Sequence, residues 1–176
     1  FSFNYNRHYF DKKLKWGFAT GFSAGKNREV NYNTVNDKQV FVKDENAFLS
    51  NFSSGYALLT YRRKIKTSHS FGISWTAGEV KDTVISLNPA YFKTGIRRIS
   101  YPELFYSMTC FDLDYIPYPT KGYATELIFT KRGIDQTTNM WRLVVKGSGY
   151  WHLNKRMFFN QTVYGILKLP FKQSYF

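Results

Sequence analysis

Residues 140–153 read MWRLVVKGSGYWHL, and alternate positions belong to two chemically different sets. Trp141, Leu143, Val145, Gly147, Gly149, Trp151 and Leu153 fall on one side; Met140, Arg142, Val144, Lys146, Ser148, Tyr150 and His152 fall on the other. Strict alternation over such a length calls for a β-strand with unlike faces, because side chains repeat every second residue along a strand. The two tryptophans sit at the same face and ~33 Å apart along an extended strand, which a tilt of ~40° reduces to ~25 Å, the height of the apolar band of a membrane-spanning barrel. Leu143, Val145 and the two glycines between them are then expected to meet acyl chains. Arg142, Lys146, Ser148 and His152 are expected to line a hydrated lumen. A one-residue slip in register would push Arg142 and Lys146 into lipid at ~2–4 kcal/mol for each charge near the midplane.

The same period recurs along the whole chain. Phe1, Phe3, Tyr5 and Tyr9 alternate with polar residues, as do Leu14, Trp16, Phe18 and Phe22, and Phe71, Ile73, Trp75 and Ala77. Less regular runs cover about 52–63 and 97–113, the latter interrupted by Pro102, where a bulge or irregular start is expected. YATELIFTK, the 140–153 stretch and MFFNQTVYGILKL complete a set of about eight strands. Their connections alternate in length: DKK, KIKTS, YIPYPTKG and NKR are compact, whereas 26–50 and 79–96 are long and GIDQTTN is moderate. This pattern predicts an all-β fold, an antiparallel up-and-down transmembrane β-barrel with tight turns on one rim and long loops on the other. One domain spans residues 1–176, with no separate soluble domain, no helical period and no apolar run long enough for a membrane helix. Trp16, Trp75, Trp141 and Trp151 are assigned to aromatic girdles at the two interfaces. A soluble barrel or sandwich would show the same alternation, but its strands would average about five or six residues. The chain starts in mid-pattern without an initiator Met or a leader, and so reads as a mature chain or a piece of one.

Twenty-five basic against twelve acidic residues give a formal charge of +13, which directs attention to an anionic partner. The excess is concentrated at the compact turns: Lys12, Lys13, Lys15, Arg62, Arg63, Lys64, Lys66, Lys121, Lys155 and Arg156. A nucleic-acid groove would interleave such residues with aromatics. Here the aromatics belong to the strand bodies, so nucleic acid is set aside and the basic rim is assigned to anionic headgroups or an acidic partner subunit. Cys110 is the only cysteine, which excludes an intrachain disulfide and a multi-cysteine metal site. GFSAG at residues 21–25 matches Gly-x-Ser-x-Gly, but ends an alternating strand rather than opening a helix, as a nucleophile elbow must. His8, His69 and His152 lack metal-ligand spacing and are read as solvated or lumen-facing. Asp112 and Asp114 are read as a rim feature rather than an acid/base pair. No cofactor, metal or enzymatic activity is expected.

The turn DYIPYPTKGY, Asp114 to Tyr123, has two prolines that restrict φ and a Thr-Lys-Gly run that reverses the chain. The stretch FDLDYIPYPTKGYATELIF, preceded by LNPAYFKTGIRRISYPELFYSMT, resembles the mid-barrel of the BamA/TamA superfamily of outer-membrane assembly factors, most of all the Bacteroidetes-type members. In that family an Asp, then aromatic and Pro, then Pro-x-x-Gly marks a periplasmic turn, and Asp114, Pro119 and Gly122 match, as structural rather than active positions. The resemblance is specific over about 84–172 and implies strands four to eleven of a sixteen-stranded barrel. It further implies a bacterial outer-membrane location, a non-enzymatic role in inserting other barrel proteins, and partners comprising membrane lipids, unfolded outer-membrane proteins and accessory subunits. The family's substrate-receiving POTRA domains and the Arg-Gly motif of its lumenal loop are not in this sequence, nor is its gating seam. Two alternatives stay open: a barrel translocator or anchor of a patatin-like phospholipase, and a small eight-stranded outer-membrane barrel or porin.

Overall fold

The alternating segments pair with one another in a computed structural model that describes residues 1–92, 95–133, 138–154 and 156–172. The strands are β1 (Ser2–Arg7), β2 (Trp16–Asn27), β3 (Glu29–Val35), β4 (Lys38–Lys43), β5 (Ser50–Lys64), β6 (Thr67–Val80), β7 (Arg98–Leu113), β8 (Gly122–Arg132), β9 (Asn139–Asn154) and β10 (Met157–Lys172). One short helix, α1 (Asp82–Leu87), lies between β6 and β7. Eight strands form a single sheet in the order β1-β2-β5-β6-β7-β8-β9-β10, while β3 and β4 form a separate hairpin. Every pairing is antiparallel. Among the described residues β1 and β10 do not pair, so the sheet is open.

Register decides which side chains share a face, since residues directly opposite one another point the same way. Following Trp16 across the sheet leads to Tyr61, His69, Met108, Leu127, Val145 and Gly165. The neighbouring row runs Phe18, Leu59, Phe71, Tyr106, Phe129, Leu143 and Leu167. One apolar face therefore continues over β2 and β5 to β10. The opposite face carries Ser23, Ser54 and Thr76 in one row and Thr60, Ser70, Ser107, Ile128, Val144 and Ile166 in another. It mixes hydroxyl, amide and charged residues with glycines and apolar side chains such as Tyr56, Phe105 and Ile128.

Among the described residues no second layer covers the apolar face. Phe71, Ile73, Trp75 and Leu104 are each about half exposed. Total accessible surface is 12527 Å², against about 8,900 Å² for a compact monomer of this mass. In a sandwich the apolar face would be buried against a partner sheet, and among the described residues no second sheet packs on it. The main buried cluster, Val30, Leu49, Val80, Val84, Phe92 and Ile99, gathers at the long-connection rim, where the β3–β4 hairpin and α1 fold over the polar-face ends of β6 and β7. Asn88 Nδ2 donates to the Tyr32 carbonyl at 2.7 Å and ties these two connections together.

The rows are steeply staggered. Trp16 opens β2 at the compact-turn rim, yet its row reaches β9 at Val145, nine residues short of the end of that strand at Asn154. Roughly 30 Å of axial shift over roughly 24 Å of lateral travel corresponds to a tilt of about 50°.

Three sequence expectations need correction. The stretch 26–50 is not a plain loop: β2 extends to Asn27, and β3 and β4 form a hairpin whose turn residues Asn36 and Asp37 have φ of 49° and 59°, the left-handed pair that such tight turns demand. One turn and a half of helix interrupts 79–96, opened by Asp82, whose carboxylate is paired with Arg97 at 2.8 Å. Pro102 causes no bulge, and the β6–β7 register runs unbroken through it. Its carbonyl accepts from Gly133 just beyond the last β7–β8 pair, so the missing N–H falls where β8 has ended.

Candidate functional site

The apolar face carries all four tryptophans. Trp16 and Trp151 stand toward the compact-turn ends of β2 and β9, Trp75 and Trp141 toward the long-connection ends of β6 and β9. Three of them stack on an aromatic neighbour on the same face: Trp16 against Tyr61 at 4.6 Å between ring centroids, Trp141 against Phe129 at 4.9 Å, Trp151 against Phe159 at 5.7 Å. Lys131 shares this face, with Nζ 4.8 Å from the Trp141 ring and bonded to Asn139 Oδ1. A cation held by an aromatic and an amide at the end of an apolar strand face is a snorkelling arrangement. At the observed stagger Trp141 and Trp151 differ in height by about 21 Å.

Arg142, Lys146, Ser148 and His152 share the polar face of β9. Ser148 bonds Thr162 at 2.9 Å, and Arg142 Nη2 donates to Thr130 Oγ1 at 3.5 Å, while Arg142 Nε is buried with no partner. Lys146 stands opposite Glu126 on β8 and Tyr164 on β10. The tightest charge pair on this face is Arg132 with Glu103, 2.7 Å apart and mostly shielded from solvent, with the Arg132 guanidinium over the Tyr101 ring. Large side chains here lie flat over glycines: Tyr56 against Gly21, Phe52 against Gly25 and Phe105 against Gly72. That packing leaves the polar groups accessible beside them.

The compact-turn rim is built from side-chain caps. Asp114 Oδ1 accepts from the backbone N–H groups of Thr120 and Lys121 at 3.0 and 3.1 Å, and its Oδ2 accepts from Thr120 Oγ1 at 2.6 Å. The Thr120 hydroxyl, then the Lys121 amide, hold the Asp114 carboxyl well below the usual carboxylate range. Thr120 Oγ1 also lies 2.8 Å from His152 Nε2; its one proton is given to Asp114, so His152 Nε2 is the donor. Gly122 closes the turn at φ +118°, where a Cβ would come within 1.9 Å of the Asp112 carbonyl. Pro119 immediately precedes the threonine that Asp114 holds. Two other turns repeat the device: Asp11 accepts from Lys15 and Trp16, and Asn154 from Arg156 and Met157.

Of the basic rim, Lys12, Lys13, Arg63, Lys64 and Arg156 are exposed at this end, whereas Lys155 lies outside the described residues. Two members are already engaged. Lys66 is ion-paired to Asp112, and the Arg62 guanidinium stacks 4.5 Å above the Tyr9 ring. Arg62 moreover belongs to the polar face of β5, opposite Ser68, rather than to a turn. His69 is a correction as well: it falls in the apolar row, its Nδ1 2.9 Å from the Tyr106 hydroxyl, because it shares parity with Phe71. Asp112 and Asp114 act separately, one on a lysine and one on a turn.

Ser23 of the Gly-x-Ser-x-Gly match bonds Ser54 across a strand pair, and β2 continues past it with no helix following. Among the described residues no three His, Cys, Asp or Glu side chains are grouped as metal ligands. Among the described residues no helix is long and apolar enough to cross a membrane, which leaves crossing by strands open. The features that sequence reading missed are the capped long-connection rim and the Asn154 and Asp11 caps. For those two caps, an Asx residue at the start of the β1–β2 and β9–β10 turns was the available signal. Models of known protein families, characterised proteins and solved structures all fail to match the chain.

Proposed function

We propose that the chain is part of a transmembrane β-barrel of the bacterial outer membrane that assists the insertion of other outer-membrane proteins. The observation that carries this reading is the uncovered apolar face, continuous across the paired rows and bounded by tryptophans at both ends. A face of that extent in water would be an aggregation surface, whereas in hydrocarbon it is solvated. The polar face, with Arg142, Lys146 and the Arg132–Glu103 pair, would then border a wet lumen, and the stagger is of the kind a sheet needs to curl closed.

The role in insertion rests on the resemblance of the Asp114–Gly122 turn to that of the assembly factors. It requires no covalent chemistry: a bilayer thinned beside the barrel lowers the barrier for a new barrel, and an openable edge offers backbone groups to an incoming strand. The modest height between Trp141 and Trp151 suits a thin apolar band. Lipids, unfolded outer-membrane proteins and accessory subunits at the basic rim are the corresponding partners.

Reconstitution of the complete protein into phospholipid vesicles tests this. Folding of a urea-denatured outer-membrane barrel, followed by its heat-sensitive shift on gels, should be severalfold faster than in protein-free vesicles. Unchanged folding beside correctly inserted protein would reject the insertion role and leave the membrane placement standing.

A further inference from the structure

The apolar face has one row with a different chemistry. At the long-connection rim Lys26, Asn51, Glu79 and Arg98 stand opposite one another on β2, β5, β6 and β7: cation, amide, carboxylate, cation. All four are exposed, and neither cation has a carboxylate within ion-pair distance among the described residues. Lys26 Nζ instead rests over the Phe48 ring at 5.7 Å. Below this row come Ala24, Ser53 and Ala77, and below those Phe22, Gly55 and Trp75. Small side chains thus leave a depression of about 410 Å³ under the polar row, lined on β5 by Asn51 to Ser53.

We propose that this depression is a binding site for a lipid A-type glycolipid, a diphosphorylated and acylated disaccharide. The two cations lie three strand spacings apart, about 14 Å between backbones, which suits a headgroup carrying a phosphate at each end. Between them Asn51 and Glu79 offer an amide and a carboxylate to sugar hydroxyls. Glu79 would repel a single phosphate placed centrally, so the order of charges discriminates against an ordinary phospholipid. Below the depression, Ser53, Gly55 and Ala57 give β5 a trough of small side chains on this face, and Asn51 to Ala57 spans about 20 Å along the strand, or about 13 Å in depth at the observed tilt, close to the ~15 Å half-thickness of a bilayer core. An acyl chain fits there. The assignment rests on the proposed membrane reading, in which the long connections face outward, where the outer leaflet holds such glycolipids.

Native mass spectrometry of the complete protein in detergent, titrated with purified diphosphoryl lipid A or with phosphatidylglycerol, tests the site. Lipid A should be retained at least tenfold more strongly, and the preference should vanish in Lys26→Ala/Arg98→Ala. In Ser53→Trp, which fills the trough and keeps the charges, retention should fall at least fivefold. Strand content and the heat-sensitive gel shift report whether each variant has folded. Equal retention of both lipids, or a preference that survives the double substitution in folded protein, would overturn the proposal. Spin labels at Leu143 and Val145 separate this from failure of the membrane reading: lipid-exposed labels with no lipid A preference refute only the site, whereas water-exposed labels refute the placement beneath it.

Discussion

Gly147 offers a test of the apolar face free of steric complication. It lies on β9 between Trp141 and Trp151, opposite Thr125 and Val163, and a Cβ built on it meets no atom within 4 Å. Substitution there changes solvation rather than packing. If the face meets hydrocarbon, Gly147→Arg costs about 2–4 kcal/mol near mid-depth, whereas Gly147→Leu gains about 1.5–3 kcal/mol from the new apolar surface. The two variants should then differ by about 3.5–7 kcal/mol, about two and a half to five decades in the folding equilibrium constant. If the face met water, the pair would differ by less than about 1 kcal/mol, since exposed strand substitutions span only that range. Ser148 is the control on the polar face, where Ser148→Arg and Ser148→Leu forfeit the same bond to Thr162. There the order should reverse, with arginine the better tolerated. Reversible guanidine unfolding in phospholipid vesicles, followed by tryptophan fluorescence, measures all four. Arginine and leucine of equal stability at residue 147 would refute the lipid-facing assignment of β9.

Asp114 carries a pH signature. Its carboxyl is held low by the Thr120 hydroxyl and backbone amides, so its contribution is complete above the unfolded value of about 3.9 and is lost as pH falls toward the lower folded value; Asp114→Asn should flatten stability measured below about pH 4 while leaving pH 7 less stable than the parent. Gly122→Ala places a Cβ against the Asp112 carbonyl at φ +118° and should lower unfolding stability by about 1–3 kcal/mol, read from the denaturant midpoint. Versions retaining one tryptophan at 16, 75, 141 or 151 should be quenched more by lipids brominated near the headgroup than near the chain terminus, and the opposite order would contradict the girdle assignment. Cysteines on the polar faces of β1 and β10, at Asn4 and at Asn160, Thr162 or Tyr164 in a Cys110→Ser background, should give no β1–β10 cross-link; an efficient one would favour a closed eight-stranded barrel.

The sheet was legible because an apolar face set against a more polar one leaves a period of two whatever covers it, and Trp16, Phe71 and Leu143 carry that period. The rims were harder. Asn36 and Asp37 form a hairpin turn that lacks the glycine usually marking one, and α1 is too short to show a helical period. Val30, Leu49, Val84 and Phe92 come from separate connections, so their shared burial depends on how β6 and β7 place those connections side by side. The Lys26–Arg98 row was invisible for a related reason: it joins residues from four strands and appears only when the register is known. His69 was misassigned although its parity with Phe71 was visible, because a histidine beside a turn invites a polar reading.

The two outer strands bear on what surrounds this sheet. β10 is sixteen residues long and pairs with β9 on one side only, so half of its backbone groups have no partner strand. A soluble protein blunts such an edge by shortening it or placing charges along it, but the β10 side chains on the apolar face are Phe159, Gln161, Val163, Gly165, Leu167 and Leu169, with no charge among them. In hydrocarbon each unpaired amide or carbonyl costs several kcal/mol, and open sheet edges do not persist there. The length and composition of β10 are those of an interior strand. If its apolar face meets lipid, its free edge must be satisfied by β1 or by a strand outside the eight of this sheet. The same holds for β1, so membrane placement and closure of the sheet stand or fall together.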